Sequence, residues 1–174
     1  DTEFTSVDVE ISWIESHEDV MSLEERWLQY VLAGLKETYG IAIRETFGVD
    51  IVVPSVPFPR VTIAEAAGIL GKNPSEVLDL DAEGERTVAK HVAGDGHEFV
   101  FLTDYPADGR AFYHMRYDDR PNITKGFDLL WKGLEITTGA QREHRYDRLV
   151  AQAIEKGLSP EPIQFYLDFF RFGM

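Results

Sequence analysis

The sequence predicts an α+β domain in which an antiparallel sheet is flanked by helices. Three observations support this prediction. Helical periodicity dominates the first half, neighbouring strand-like segments follow the Gly94-Asp-Gly96 turn without an intervening helix, and two helical segments close the chain. Consecutive strands without helical crossovers are typical of antiparallel sheets, whose apolar faces helices then cover. We find no repeat or linker, so a single domain is expected.

Composition and charge exclude some kinds of site and partner for this chain. The chain has 174 residues, no cysteine and a net charge of −14, which excludes disulfides and thiolate metal sites. The charge argues against nonspecific adhesion to nucleic acid, although a local patch or another domain could still bind it. No apolar run approaches the roughly 18 residues of a membrane span. We therefore expect a soluble, cytoplasmic protein without membrane contact.

The first elements are a strand and a long helix. Residues 7–13 alternate apolar and polar side chains, as a strand with one polar face does. Ser16 is a candidate N-cap for a helix over 18–39, which Gly40 would end. Its apolar stripe, which predicts core packing, has helical spacing and consists of Val20, Leu23, Trp27, Val31 and Leu35.

A connector and short helices come next. The proline-rich stretch 53–60 cannot lie inside a central strand and predicts an extended connector. Thr62 and Glu65 fit a capping box for a helix to about Leu70. Asn73 or Ser75 is expected to start another turn. A further helix is predicted from an Asp81 cap to about Val92.

In the second half of the chain, the spacing of apolar residues changes from a helical to a strand-like period. Strands are expected at 98–103, 110–116, 125–131 and 133–138, and helices at 141–156 and 160–170.

Residues that could bind a metal ion or a carboxylate occur late in the chain. Asp128, Glu135 and Arg142 are seven residues apart. Carboxylates with nearby hydroxyls are suitable ligands for Mg²⁺, and an arginine can grip a carboxylate through two hydrogen bonds. From spacing alone this signal is weak, because acidic residues on an exposed strand face are usually only solvated. Strict alternation places Glu135 and Thr138 on opposite faces, so a shared metal requires a bulge or break near Thr137.

Several motifs occur in a family-specific order, namely Glu-Phe-Thr-x-Val-Asp-x-Glu, Pro-Phe-Pro-Arg, Thr-Asp-Tyr-Pro, Phe-Tyr, Phe-Asp and Gly-Leu-Glu-Ile-x-x-Gly-Ala-Gln-Arg. In this order the chain resembles class II aspartyl-tRNA synthetases of the archaeal and eukaryotic type, from Glu3 to Met174. Asparaginyl-tRNA synthetases typically carry Gly-Gly-Ser-Gln-Arg where this chain has Thr-Gly-Ala-Gln-Arg. The expectation of aspartate rather than asparagine depends on that difference.

The resemblance implies activation of L-aspartate by ATP and transfer of the aspartyl group to tRNA. Glu135 would bind ATP-linked Mg²⁺ with help from the Thr138 hydroxyl, a serine in most relatives, and Asp128 would support the metal. Arg142 would hold the side-chain carboxylate of aspartate and Asp8 its ammonium group. Gln141 and Tyr113 are weaker pocket candidates, because helix capping and core packing also explain them. No residue is assigned a catalytic role beyond binding.

The resemblance also implies that the chain is an interior part of a catalytic domain. The first and third signature motifs and the anticodon-binding domain are expected outside it, so this segment alone should be inactive. A homodimer is expected of the longer protein. An asparagine synthetase-like enzyme, a non-catalytic paralogue and an asparaginyl-tRNA synthetase remain alternatives. Whether tRNA for asparagine is a substrate beside tRNA for aspartate stays open.

Overall fold

The computed structural model describes residues 3–173 and shows three layers. A four-stranded sheet in the order β1-β2-β3-β4 has one long helix on one face and two shorter helices on the other. The strands are β1 Arg60–Thr62, β2 Phe99–Thr103, β3 Gly126–Trp131 and β4 Leu134–Ala140. The helices are α1 His17–Phe47, α2 Ile63–Ile69, α3 Ala82–Ala93, α4 Tyr146–Glu155 and α5 Gln164–Phe170, with 3₁₀ turns at Pro74–Glu76, Ala107–Gly109 and Glu161–Ile163. The α+β prediction is confirmed.

Helix α1 begins as predicted but ends later. Ser16 caps it in a full capping box with Asp19. The predicted end at Gly40 is wrong, because the helix continues to Phe47 and closes at Gly48, whose φ of 69° suits glycine. The predicted apolar stripe is only partly correct. Trp27 and Leu35 are exposed, and the buried positions are His17, Met21, Glu25 and Leu32.

The predicted strand over residues 7–13 is wrong. This segment has no regular secondary structure, and its apolar side chains, Val7, Val9, Ile11 and Trp13, are exposed. The alternation is real, but a strand needs a neighbour for its backbone N–H and C=O groups. No segment within residues 3–173 pairs with it.

The connector ends in a strand that the sequence did not predict. Arg60–Thr62 pairs in parallel with β2, and α2 and α3 form the crossover between them. The predicted capping box at Thr62 is confirmed, as is the Asp81 cap of α3. Asn73, rather than Ser75, caps the 3₁₀ turn between the helices. The remaining two strand pairs are antiparallel, as expected.

A β-bulge interrupts the β3–β4 pair. Leu129 lies opposite Thr137, whereas Leu130 lies opposite Glu135, so Ile136 is the extra residue. A two-residue turn, Lys132 and Gly133 with φ of 54° and 81°, joins the strands. Left-handed values at both positions are those of a type I′ hairpin, which matches the twist of the strands.

The two faces of the sheet bury separate apolar clusters. One lies under α2 and α3 and contains Ile63, Ala66, Ala67, Val77, Val88, Val92, Val100, Leu102, Tyr105 and Leu130. The other lies under α1 and contains Met21, Leu32, Phe58, Phe99, Phe101, Phe127 and Leu129. Covering both faces fixes strand register, because a slip of one residue would exchange the two sets.

Two further boundaries differ from the predictions. Residues 110–116 form a loop with isolated bridges, His114 to Arg142 and Arg116 to Thr124, instead of a strand. The helix expected from Gln141 begins at Tyr146. Residues 141–143 stay extended because the backbone of Gln141 is bonded to both Met115 and Lys125, and an extended segment so held cannot enter a helix.

Candidate functional site

The bulge brings the predicted metal ligands to one face of the sheet. Residues directly opposite in neighbouring strands share a face, and residues two apart in one strand do as well. Asp128 lies opposite Thr138, and Glu135 lies opposite Leu130, which is two residues beyond Asp128. Glu135, Thr138 and Asp128 therefore lie on the face that α2 and α3 cover. Without Ile136 as an extra residue, Glu135 would point to the opposite face.

Asp128 is held by an arginine that the sequence did not predict as part of the site. Both carboxylate oxygens accept hydrogen bonds from Arg110, whose Nη1 lies 3.3 Å from Oδ1. The two side chains are buried, and the guanidinium lies over the Tyr105 ring, 3.5 Å from its centroid. Although burial lowers the pKa of Arg110, hydrogen bonding to Asp128 raises it above its usual range. Asp128 is thus fixed in position by an ion pair.

The surroundings of Asp128 are acidic. Although Glu135 is exposed on one side, partial desolvation raises its pKa, and the charges of Asp128 and Glu85 raise it further. Burial and the neighbouring charges of Asp128 and Asp79 likewise raise the pKa of Glu85 on α3. A bound cation would reduce the electrostatic repulsion between these carboxylates. Arg110 offsets only part of the negative charge.

The donor set is compatible with Mg²⁺. Glu135 is exposed and its oxygens accept no hydrogen bond from residues 3–173, while Thr138 offers a hydroxyl on the same face. Across the described residues, three or more His, Cys, Asp or Glu side chains nowhere converge as a ready metal cage. Mg²⁺ usually takes one or two carboxylates and completes its shell with water and substrate phosphates. Glu135 and Thr138 fit that mode.

Arg142 lies beyond the other end of β4. Its backbone forms a bridge to His114, and alternation from Thr138 through Ala140 places it on the same face as Thr138. The guanidinium is about half exposed, at 49% of its side-chain surface, and stacks over the Tyr113 ring at 4.4 Å from the centroid. Its ion pair is loose, with Nη2 3.7 Å from Glu10 Oε1. Arg142 can therefore accept another carboxylate.

The other predicted pocket residues differ in their placement. Tyr113 contacts Arg142 directly and also stacks on His114. Gln141 is buried, and its Oε1 has no hydrogen-bond partner among the described residues. Since it alternates with Arg142, Gln141 points to the opposite side of the extended segment. Asp8 is exposed in the unpaired N-terminal segment, and within residues 3–173 we find no hydrogen bond or ion pair to it.

Sequence reasoning missed Arg110, Tyr105, Glu85 and Glu10. Arg110 and Asp128 are 18 residues apart, and the strand predicted over 110–116 gave no reason to join them. A weak signal existed, because Arg110 lies three residues before Tyr113, which is a predicted pocket candidate. Glu85 lies within the helix predicted from Asp81 to about Val92, and no sequence signal linked it to Asp128.

The family model for class II tRNA synthetases (D, K and N) matches residues 1–174. The chain belongs to this family. The aspartate–tRNA(Asp) ligase of Pyrococcus abyssi is 42% identical to it over 173 residues, which are 97% of this chain and 39% of that relative. The aspartate–tRNA(Asp/Asn) ligase of Aeropyrum pernix is 42% identical over 98% of this chain and 40% of its own length.

Solved structures of class II synthetases share the fold. The aspartyl-tRNA synthetase of Entamoeba histolytica superposes with a TM-score of 0.81 and 27% identity, over 92% of this chain and 34% of that one. The asparaginyl-tRNA synthetase of Pyrococcus horikoshii superposes with a TM-score of 0.79 and 29% identity, over 92% and 39%. The predicted class II catalytic fold is confirmed.

The chain spans about two fifths of the length of the curated relatives it matches. Those synthetases therefore contain extensive sequence that has no counterpart in these 174 residues. Within residues 3–173, every helix is too short or too polar to cross a bilayer.

Proposed function

We propose that this chain is part of the catalytic domain of an aspartate–tRNA ligase, with the first and third signature motifs and an anticodon-binding domain in the rest of the protein. Its substrates are L-aspartate, ATP and tRNA for aspartate, and the protein acts as a cytoplasmic homodimer. The observation that carries this proposal is the placement of Glu135, Thr138 and Arg142 on one face of β4 and the extended segment that follows it. Relatives named aspartate–tRNA ligases, at 39–42% identity, support it.

The reaction needs little covalent chemistry from the protein. The α-carboxylate of aspartate attacks the α-phosphorus of ATP and pyrophosphate leaves. A ribose hydroxyl of tRNA then attacks the aspartyl carbonyl, AMP leaves, and the hydroxyl proton passes to a phosphate oxygen of the departing AMP. Both steps depend on holding the reactants in line and neutralising phosphate charge. Arg142 and the Glu135 region therefore act by positioning, and no residue of this chain needs to exchange a proton.

Each proposed role follows from a property of the site. Arg142 binds the side-chain carboxylate of aspartate, because its guanidinium is half exposed and only loosely paired. The ring of Tyr113 stacks against the Arg142 guanidinium and holds it in position. Glu135 and Thr138 would hold Mg²⁺, which would neutralise charge on the ATP phosphates. Asp128 supports this metal from its ion pair with Arg110.

Two assignments depend on parts of the pocket beyond this chain. Asp8 binds the ammonium group of aspartate in our proposal, which requires the N-terminal segment to lie along the pocket. Glu10, two residues further, already contacts Arg142 and supports that course of the segment. Gln141 points to the side of the extended segment opposite Arg142, so in our proposal its unpartnered amide oxygen supports the pocket wall without contacting aspartate.

The alternative substrate is asparagine, and solved asparaginyl-tRNA synthetases do share the fold. Aspartate is favoured because a charged side chain neutralises Arg142, whereas a neutral amide would leave this cation compensated by Glu10 alone. The relatives named as tRNA(Asp/Asn) ligases make tRNA for asparagine a second acceptor to test. An asparagine synthetase-like enzyme would replace tRNA with ammonia as acceptor.

Amino-acid-dependent exchange of pyrophosphate into ATP tests the proposal. The whole protein should catalyse exchange with aspartate and not with asparagine. Arg142→Gln should raise the KM for aspartate by about 10²-fold or more, the loss expected for a charge-assisted contact that the bound substrate shields from water. Arg148→Gln, an equal change of charge at an exposed arginine paired with Asp118, is the control. Exchange that prefers asparagine, or equal kinetics in the two variants, contradicts the assignment.

A further inference from the structure

A second pocket lies where the β3–β4 turn contacts α3. Gly133 has a φ of 81° and packs so closely that an added Cβ would lie 2.9 Å from the Arg86 Cα. The turn therefore fits against the α3 backbone only with glycine at this position. The contact brings the side chain of Lys132 beside those of Arg86 and Lys90, which are one helical turn apart. The position of these cations is thus set by backbone packing.

These residues surround an open cavity of about 310 Å³, which we call the α3–turn pocket. It is lined by Arg86, Ala89, Lys90, Ala93, His97, Glu98 and Lys132. Its one carboxylate is already engaged, because Glu98 pairs with Lys132 Nζ at 3.2 Å and accepts a hydrogen bond from Trp131 Nε1 at 3.2 Å. Arg86 and Lys90 have no ion pair among the described residues. The pocket is therefore cationic.

A cationic pocket is unusual in this molecule. The chain carries a net charge of −14, and most of its lysines and arginines are neutralised by carboxylates. The paired ones are Arg44, Arg60, Arg110, Arg116, Arg120, Lys132, Arg142, Arg145, Arg148 and Arg171. Two unpaired cations on one helical face beside a third are the arrangement that attracts a polyanion.

We propose that the α3–turn pocket binds a phosphate of the tRNA backbone. This inference rests on the proposed function, which supplies RNA as the partner. Arg86 offers a planar fork that matches two phosphate oxygens, and Lys90 and Lys132 add point charges. The pocket is open, so a free phosphate would be held weakly, whereas an RNA that also contacts other surfaces is held firmly. The hairpin that forms the pocket wall continues directly into Glu135.

Salt-dependent binding of a tRNA transcript to the whole protein tests this inference. Arg86→Gln with Lys90→Gln is compared with Arg26→Gln with Lys36→Gln, an equal charge change at exposed residues of α1. Removing two phosphate contacts should lower the slope of log K against log salt by about 1.5–2 and weaken binding at about 0.1 M salt by tenfold or more. Aspartate-dependent pyrophosphate exchange should be unchanged in both.

Each result bears on a separate statement. Equal tRNA affinity and slope in the two double variants would overturn the inference while the proposed function stands. Loss of pyrophosphate exchange in Arg86→Gln with Lys90→Gln would also overturn it, since the residues would then serve adenylate formation. Tighter binding of inorganic pyrophosphate by wild type than by this variant, with tRNA affinity unaffected, would assign the pocket to a free phosphate. Absence of aspartate-dependent exchange in wild type would contradict the proposed function itself.

Discussion

The buried ion pair between Arg110 and Asp128 gives the sharpest stability prediction. Arg110→Met removes the guanidinium and keeps an unbranched apolar chain over the Tyr105 ring. Asp128 is only 3% exposed and would then be an unpaired carboxylate beside Glu85 and Glu135. At the 3.3 Å between Nη1 and Oδ1, an effective dielectric constant of about 20 gives an attraction of about 5 kcal/mol. Removing one partner of such a pair should lower the free energy of unfolding by about 3–5 kcal/mol.

A double-mutant cycle measured by urea denaturation isolates this interaction. Arg110→Met with Asp128→Leu leaves no buried charge, so the double variant should be more stable than Arg110→Met alone. The more exposed pair Arg116 and Glu155 is the matched control, and its coupling should stay below about 1 kcal/mol. A loss under about 1 kcal/mol for Arg110→Met, or equal coupling in the two pairs, would refute the reasoning.

Three other predictions concern the core, pH and the metal. A Cβ at Gly139 would overlap the Phe127 ring, so Gly139→Ala should destabilise the protein by about 1–3 kcal/mol. Nothing lies within 4 Å of a Cβ at Gly34 in α1, so Gly34→Ala should stabilise the protein slightly. Thermal denaturation compares the two variants. Burial, with help from Arg110, lowers the pKa of His114 to about 4. Below about pH 6.5 the unfolded chain therefore takes up more protons than the folded one. Lowering the pH from 7.5 to 5 should reduce the free energy of unfolding by about 2 kcal/mol more in wild type than in His114→Gln. An equal pH dependence in that variant would contradict this. Glu135→Gln should weaken Mn²⁺ binding, measured by electron paramagnetic resonance, by about tenfold or more, and Glu161→Gln, a change in the exposed 3₁₀ turn, should not.

Local sequence signals predicted the elements whose determinants are local. The caps at Ser16, Thr62 and Asp81 placed three helix starts correctly, because a cap needs only residues within one turn. Local structure that depends on long-range contacts was not predicted correctly. The loop at 110–116 and the extended course of 141–143 are set by hydrogen bonds to residues distant in the sequence, and the unpaired segment over 7–13 reflects a missing neighbour that alternation cannot reveal.

The same division applies to the site. Asp128, Glu135, Thr138 and Arg142 could be proposed together from the sequence because they are close along the chain, and the structure places them in one hairpin and its continuation. The sequence also indicated that Glu135 and Thr138 could share a face only with a break near Thr137, and the bulge at Ile136 provides it. Arg110, in contrast, reaches Asp128 only through the folded loop, so no spacing rule could have joined the two.

The most direct test of the central claim is calorimetric binding of two non-hydrolysable adenylate analogues, one aspartyl and one asparaginyl, to the whole protein. Adenylate analogues resemble the activated state and bind tightly to a site built for that reaction. We predict a preference for the aspartyl analogue of about 10²-fold or more in wild type, most of which Arg142→Gln abolishes and Arg148→Gln retains. Equal affinity for the two analogues, or a preference that survives Arg142→Gln, would contradict the account.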